Sequence, residues 1–393
     1  MTSALMPTYR QANVCFVSGS GAWLVDSDGK RYLDFLSGIA VTSLGHAHPS
    51  VRDAICTQAG TLLHVSNLYK NGLNEEVART IDTLVGDGVP VGGRVFFANS
   101  GAEANECAIK LARLFAPEGR FSIVAAKEAF HGRTMATLAA TGQPHKQAPF
   151  SPMLEGFTHV EYGDAEAIRD VIGRETAAVI LEPIEGEAGV ITPPAGYLAR
   201  VREICDEHQL LLIVDEIQTG LARTGRWFAF QHEGVHPDIV TMAKALGNGV
   251  PVGACWAKDT VASAFKPGDH GSTFGGQPLA MSAVRATLET MRAIEAPKRA
   301  LHAGDRLGEA LLGIEGVAEV RGAGLLVGVV LAEGIDASSV AEKSLEFGLV
   351  VNAPVPSVIR ICPPIIVTDE EIDEGVIRLA RAIASVTSVA RVA

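Results

Sequence analysis

The sequence predicts an α/β protein: a large domain on a mostly parallel central sheet, plus a smaller α+β domain assembled from both ends of the chain. Two observations carry this. Through the middle of the chain, β-branched and aliphatic runs alternate with amphipathic helical stretches, so that RVFFANS precedes GAEANECAIKLARLF, and AAVILEP precedes YLARVREICDEHQ and then LLLIVDE. That alternation marks βαβ units. Unbroken apolar runs such as Leu210 to Val214 suit strands covered on both faces.

Taken in order, residues 1–50 show short strand signals with turns rich in Gly and Asp, as in WLVDSDGKRYLDF, and read as a β-meander belonging to the smaller domain. Residues 51–284 hold the alternating pattern and form the large domain. Residues 285–393 complete the smaller one: the helical stretch around MSAVRATLETMRAI leads to a strand (LLVGVVL), a helix (SSVAEKSLEFG), strands (LVVNA, VIRIC) and a last helix. Length and a 47% hydrophobic content suffice for about two to three domains.

The formal charge of -12, with Lys and Arg scattered, leaves no basic face for nucleic acid, so small molecules are the expected partners. The N-terminal MTSALMPTYRQANVCF lacks a basic-then-apolar pattern, and no apolar run approaches ~18 residues, so neither export nor a membrane anchor is expected. Six dispersed cysteines without a C-x-x-C pair fit reduced thiols in a cytoplasmic protein rather than a structural zinc site.

Four places put a polar or charged group just beyond an apolar run, where ligands sit in open α/β sheets. The first is NSGAEAN at 99–105. Ser100, Gly101 and Ala102 would offer a hydroxyl and backbone N–H groups at a helix N-terminus, which suits phosphate; an ordinary N-cap serine has the same sequence. The second is LLLIVDEIQTG. Asp215, ending a strand buried on both faces, asks for a metal, an arginine or a protonated nitrogen. A magnesium-holding strand of a nucleotide hydrolase also reads this way, but the chain has no G-x-x-x-x-G-K-[ST] loop. GNGVPVG and GAGLLVG are each one residue too long for a dinucleotide fingerprint.

The third place is Lys244 in DIVTMAKALGNG. A desolvated lysine loses proton affinity and becomes a nucleophile toward carbonyls, although a surface lysine at a strand end is equally compatible with these residues. The fourth is a set of arginines and acids: Arg133 in FHGR, Glu182 and Glu187 in LEPIEGEAG, and Arg360 in VIRICPP. Arg360, on an apolar strand, needs either a structural acid or a substrate carboxylate. An anion cradle, a strand-end carboxylate and a buried amine together match the three handles of pyridoxal 5'-phosphate. A catalytically silent cofactor-binding protein would need only some of them.

GIAVTSLGHAHP, NSGAEANECAIKLAR, EAFHGRTMATLAATGQP, LEPIEGEAGV, DEIQTGLARTG, AKALGNGVPVGA, HGSTFGGQPLA and IRICPPIIV follow one another in the order of a known family. The chain resembles the class III, or ω-type, aminotransferases of pyridoxal-phosphate fold type I (aspartate-aminotransferase-like), and within them the acetylornithine-type enzymes. The resemblance implies that Lys244 holds the cofactor as a Schiff base and shuttles the proton. It implies that Asp215 pairs with the pyridinium nitrogen, Gln218 with the ring hydroxyl, and that Phe130 stacks on the ring. Ser100, Gly101 and Ala102 would hold the phosphate, with Thr273 from a second subunit of a homodimer. Arg133 and Tyr9 would grip the carboxylate far from the reacting amine. Arg360 would bind the α-carboxylate of glutamate or 2-oxoglutarate, with Glu187 neutralising it in the other half-reaction.

The implied reaction is ping-pong transfer from N-acetylornithine to 2-oxoglutarate. Ornithine, succinylornithine, 4-aminobutyrate and LysW-linked lysine-pathway enzymes are the near alternatives. Departures from the family pattern are Gln277 in GGQP, Ala222 before Arg223, and Glu185 where glutamine is frequent; Lys70 falls where relatives line the substrate mouth. His46 and His48 resemble a metal pair but match a structural turn of the family, so no metal is expected.

Overall fold

The computed structural model describes residues 4–390. Its first sheet is the expected meander, β1 (Phe16–Ser20), β2 (Trp23–Asp26) and β3 (Arg31–Asp34), paired antiparallel. The central sheet has seven strands: β4 (Arg94–Ala98), β5 (Ser122–Ala126), β6 (Phe157–Val160), β7 (Thr176–Leu181), β8 (Leu211–Asp215), β9 (Ile239–Met242) and β10 (Gly253–Ala257). Their spatial order is β4-β10-β9-β8-β7-β5-β6. The third sheet holds β11 (Val317–Ala323) and β12 (Leu326–Leu331), and, after β13 (Leu349–Val350), also β14 (Asn352–Val355) and β15 (Val358–Ile361), in the order β11-β12-β15-β14. The short β13 instead joins the first sheet, parallel to β3, with Leu349 opposite Leu33.

Every residue of β7, β8 and β9 is buried, as continuous apolar runs require when helices cover both faces. Within the sheet β10 is the one reversed strand, antiparallel to both of its neighbours, β9 and β4. Its direction follows from the short link between Met242 and Gly253: a parallel return would need a crossover of about a dozen residues or more. The carboxyl ends of β4, β7, β8 and β9 therefore open on one edge, where β8 ends in Asp215 and the segments after β4, β7 and β9 carry Ser100, Glu182 and Lys244.

Candidate active site

Lys244 follows β9 after a single residue. Its backbone is left-handed (φ +42°), a conformation that costs a side-chain-bearing residue about 1–3 kcal/mol unless its surroundings enforce it. The side chain enters a cavity of ≈ 400 Å³, and its amine makes no hydrogen bond among the described residues. Burial lowers its pKa; Glu187 opposes this most, while the Arg360 guanidinium adds to it. The burial anticipated from DIVTMAKALGNG thus shifts the amine toward its neutral, nucleophilic form.

Asp215, at the carboxyl end of β8, lines the same cavity and is 3% exposed. Its Oδ2 accepts from Asn105 Nδ2 (2.7 Å) and meets His131 Nδ1 at 2.8 Å, and its Oδ1 accepts the Ile217 N–H at 3.1 Å. Asn105 is fixed in turn: it donates to the His131 carbonyl (2.8 Å) and accepts from Thr241 Oγ1 (2.7 Å). The carboxylate is thereby held rigidly by donors other than lysine or arginine, which leaves it able to hold a protonated nitrogen. His131 and Asn105 were not singled out from sequence. The available signal was their polarity within FHGR and on the inner face of the helix Gly101–Phe115.

At the cavity's other end, Ser100 caps that 15-residue helix, its Oγ accepting the Glu103 N–H at 3.2 Å. The N-cap reading and the anion reading of NSGAEAN therefore coexist, because the N–H groups of Gly101 and Ala102 come before that of Ala104, the first to donate within the helix, and both residues line the cavity. A Cβ on Gly101 would lie 2.7 Å from Ile217 Cδ1, and one on Gly253 2.2 Å from the Ser100 carbonyl oxygen. Glycine at both positions lets the cradle pack this closely.

Phe130 and Gln218 also line the cavity. The Phe130 N–H donates to Glu182 Oε2 (2.9 Å), and the Glu182 pKa is raised well above the usual range by burial, then by the charges of Asp215 and Glu185. Arg133 lines the mouth, exposed, with its guanidinium 5.6 Å from the Phe130 ring centroid. Behind Gln218 lies Arg360, wholly buried on β15. Its Nη1 donates to Glu187 Oε1 (2.6 Å), Gln218 Oε1 (3.2 Å) and the Gly186 carbonyl (3.2 Å), and its Nε to Asn352 Oδ1 (3.1 Å). Its Nη2 is buried without a partner among the described residues. Burial pushes the Glu187 carboxyl up, but the Arg360 guanidinium outweighs this and holds it below its ordinary pKa.

Not every expected residue reaches the cavity of its own chain. Tyr9 is 85% exposed, and Thr273 and Lys70 are exposed; none of the three lines the cavity. Thr273 follows Ser272, whose Oγ accepts from Asn99 Nδ2 at 3.2 Å. His46 is engaged by Asp34 Oδ2 at 2.7 Å, and Asp34 Oδ1 accepts the N–H groups of Leu36 (3.0 Å) and Ser37 (2.8 Å), so GHAHP belongs to a turn.

Residues 5–383 match the model of the family described as aminotransferase class-III. The chain belongs to the class III aminotransferases. Over 390 residues, 98% of this chain and 96% of the relative, this aminotransferase is 47% identical to the acetylornithine aminotransferase of Corynebacterium efficiens. An ornithine aminotransferase structure from Toxoplasma gondii, with partial occupancy of PLP at its active site, superposes with a TM-score of 0.92 at 34% identity, covering 98% of this chain and 93% of that one. The N-acetylornithine aminotransferase structure from Stenotrophomonas maltophilia K279a gives 0.84 at 34%, covering 96% and 98%. The seven-stranded, mostly parallel sheet with smaller sheets beside it is therefore the fold type I architecture expected from the sequence.

Proposed function

We propose that this aminotransferase uses pyridoxal phosphate to move the δ-amino group of N-acetylornithine to 2-oxoglutarate, the flow being reversed in arginine biosynthesis. The observation that carries the chemistry is a single cavity holding an amine of lowered proton affinity, a rigidly held carboxylate and an open helix N-terminus. The choice of N-acetylornithine rests on 47% identity to an acetylornithine aminotransferase along nearly the whole chain. Shape alone does not separate the two substrates, since the higher TM-score belongs to the ornithine enzyme.

The residues present fit the cofactor. Ser100, Gly101 and Ala102 would hold its phosphate, Asp215 its ring nitrogen, Gln218 its ring hydroxyl, Phe130 one ring face and Lys244 its aldehyde carbon. When bound, pyridoxal phosphate supplies an aldehyde that links amines and a ring that stabilises a carbanion. Lys244 Nζ takes the proton from the amine-bearing carbon and returns it, which a neutral amine does and an ammonium does not. Asp215 keeps its nitrogen partner protonated. Arg360 receives the α-carboxylate of glutamate or 2-oxoglutarate, and Glu187 covers Arg360 while N-acetylornithine, which brings no carboxylate there, occupies the site. Arg133 and Tyr9 hold the distant carboxylate.

The reading carries with it a cytoplasmic homodimer in which Thr273 serves the other copy's phosphate. What supports the second copy is the exposure of Thr273 beside Phe274, itself 67% exposed, and of Leu68 and Tyr69. The residue divisions 1–50, 51–284 and 285–393 remain our proposed domains, supported by the pairing of β13 with β3. Absorbance during half-reactions tests the whole reading. The protein should be yellow and bleach on addition of N-acetylornithine, and Lys244→Ala should abolish turnover. Bleaching by ornithine, succinylornithine or 4-aminobutyrate but not by N-acetylornithine would overturn the substrate and keep the class.

A further inference from the structure

A dicarboxylate cannot grip Arg360 at two points while Glu187 stays there. Nη1 is already shared by three acceptors and Nη2 has none, so a two-point carboxylate must take Nη2 and displace Glu187 from Nη1. Two anions on one buried guanidinium would leave one of them uncompensated. The local chain permits departure: Glu187 lies between Gly186 and Gly189 (φ +102°), and its side chain is 24% exposed. A carboxylate released within a largely buried mouth then needs a second cation.

Arg360, Lys244 and Lys146 all act on Glu187, and Arg133 lines the cavity. Arg360 is taken by substrate, Lys244 is committed to the chemistry and Arg133 to the distant carboxylate. Lys146 is half-buried, with its ammonium 5.2 Å from the centroid of the Phe130 ring that lines the cavity. It hydrogen-bonds the neutral Gln143 Oε1 and forms no ion pair among the described residues. Burial lowers its pKa, and of the carboxylates that act against this Glu187 acts most strongly.

We propose that Lys146 is a positioning residue that receives the Glu187 carboxylate when a dicarboxylic substrate occupies Arg360, so that one site alternates between an ω-amine and a dicarboxylate. This rests on Arg360 being the α-carboxylate site. The test uses cofactor-loaded protein and glutarate, a dicarboxylate with no reactive keto group, titrated by calorimetry. Lys146→Met keeps the aliphatic stem and should weaken glutarate about tenfold, the scale of coupling between neighbouring charges. Lys146→Arg should restore it. The single-turnover rate with N-acetylornithine should stay within about twofold of the parent.

In the Glu187→Gln background, Lys146→Met should lose its effect on glutarate. An undiminished effect there would show Lys146 touching the ligand directly and would overturn the proposal, as would unchanged glutarate affinity in the single variant or equal damage to both half-reactions. Arg360→Met in the same titration separates the two readings. If it weakens glutarate, failure of the Lys146 variants sinks only the role of Lys146; if it does not, the Arg360 assignment falls as well.

Discussion

Two arginines, Arg223 and Arg360, are wholly buried, and they are held in opposite ways. Arg223 donates to the carbonyls of Pro363 (2.5 Å) and Leu325 (3.1 Å) and to Ser43 Oγ (2.8 Å), with no carboxylate among its partners. Burial drives its pKa down to about 10. Each arginine keeps one buried nitrogen without a partner among the described residues, Nε in Arg223 and Nη2 in Arg360, but Arg360 alone of the two has a carboxylate, carried on a glycine-flanked loop. Backbone carbonyls cannot leave, so Arg223 is a permanent tie between the loop after β8, the β11–β12 turn and the segment after β15. A side-chain carboxylate can leave, so Arg360 is a site. The buried guanidinium that keeps an exchangeable partner is the one to associate with substrate.

The sharpest way to break this contrast is to truncate both. Arg360→Met should lower the rate constant of the 2-oxoglutarate half-reaction relative to its binding constant by about 10²–10³, the cost of losing a desolvated charge pair, and should also cost about 1–3 kcal/mol of stability because the Gly186 carbonyl and Glu187 lose their donor. Arg223→Met should act on stability alone, costing about 2–5 kcal/mol because two buried carbonyls lose their donor, with no selective loss in either half-reaction. If Arg223→Met slowed one half-reaction selectively while leaving the denaturation midpoint unchanged, the distinction between tie and site would fail.

Both arginines also show what a sequence discloses. Arg360 was noticeable because VIRIC is otherwise apolar, and LEPIEGEAGV supplied its partner. Arg223 was noted only as the neighbour of Ala222, since its acceptors are main-chain carbonyls, which no residue type advertises. The β-runs and the helix opening at NSGAEAN were legible because strand burial and N-capping are local. The direction of β10 was not; it depends on the length of the link after Lys244. The partners that fix Asp215 were also hidden, because Asn105, His131 and Thr241 come from three separate segments. Tyr9 and Thr273 were expected at the site by resemblance alone, and within one chain they lie away from it.

A milder perturbation sharpens the exchangeable side of the contrast. Glu187→Gln removes the charge that competes for Arg360 but keeps a side chain of the same shape. The Michaelis constant for 2-oxoglutarate should fall by about tenfold, while the N-acetylornithine half-reaction slows because the guanidinium stays uncovered. Steady-state measurements with each substrate varied in turn would show the opposed changes. Weaker dicarboxylate binding in this variant would mean that Glu187 assists the dicarboxylate rather than giving way to it.

The smallest expected effect concerns a buried carboxyl group with neither kind of partner among the described residues. Glu185 is 2% exposed, its Oε1 has no hydrogen bond among the described residues, and burial followed by the nearby Glu128 charge raises its pKa to about 8. The folded-state value lies above the ordinary 4.5. Between those limits the native protein keeps a proton that the unfolded chain releases, so the group reduces stability progressively as pH rises through this window and has no such effect below it. Glu185→Gln removes that slope. The amide adds a donor with no acceptor in view, which offsets part of the benefit, so the net gain at pH 8 should be on the order of 1 kcal/mol and should vanish or reverse near pH 5. Melting temperatures of variant and parent measured at both pH values check the sign: a difference between the two proteins that does not change with pH would mean that Glu185 is ionised in the folded state and has found a cation after all.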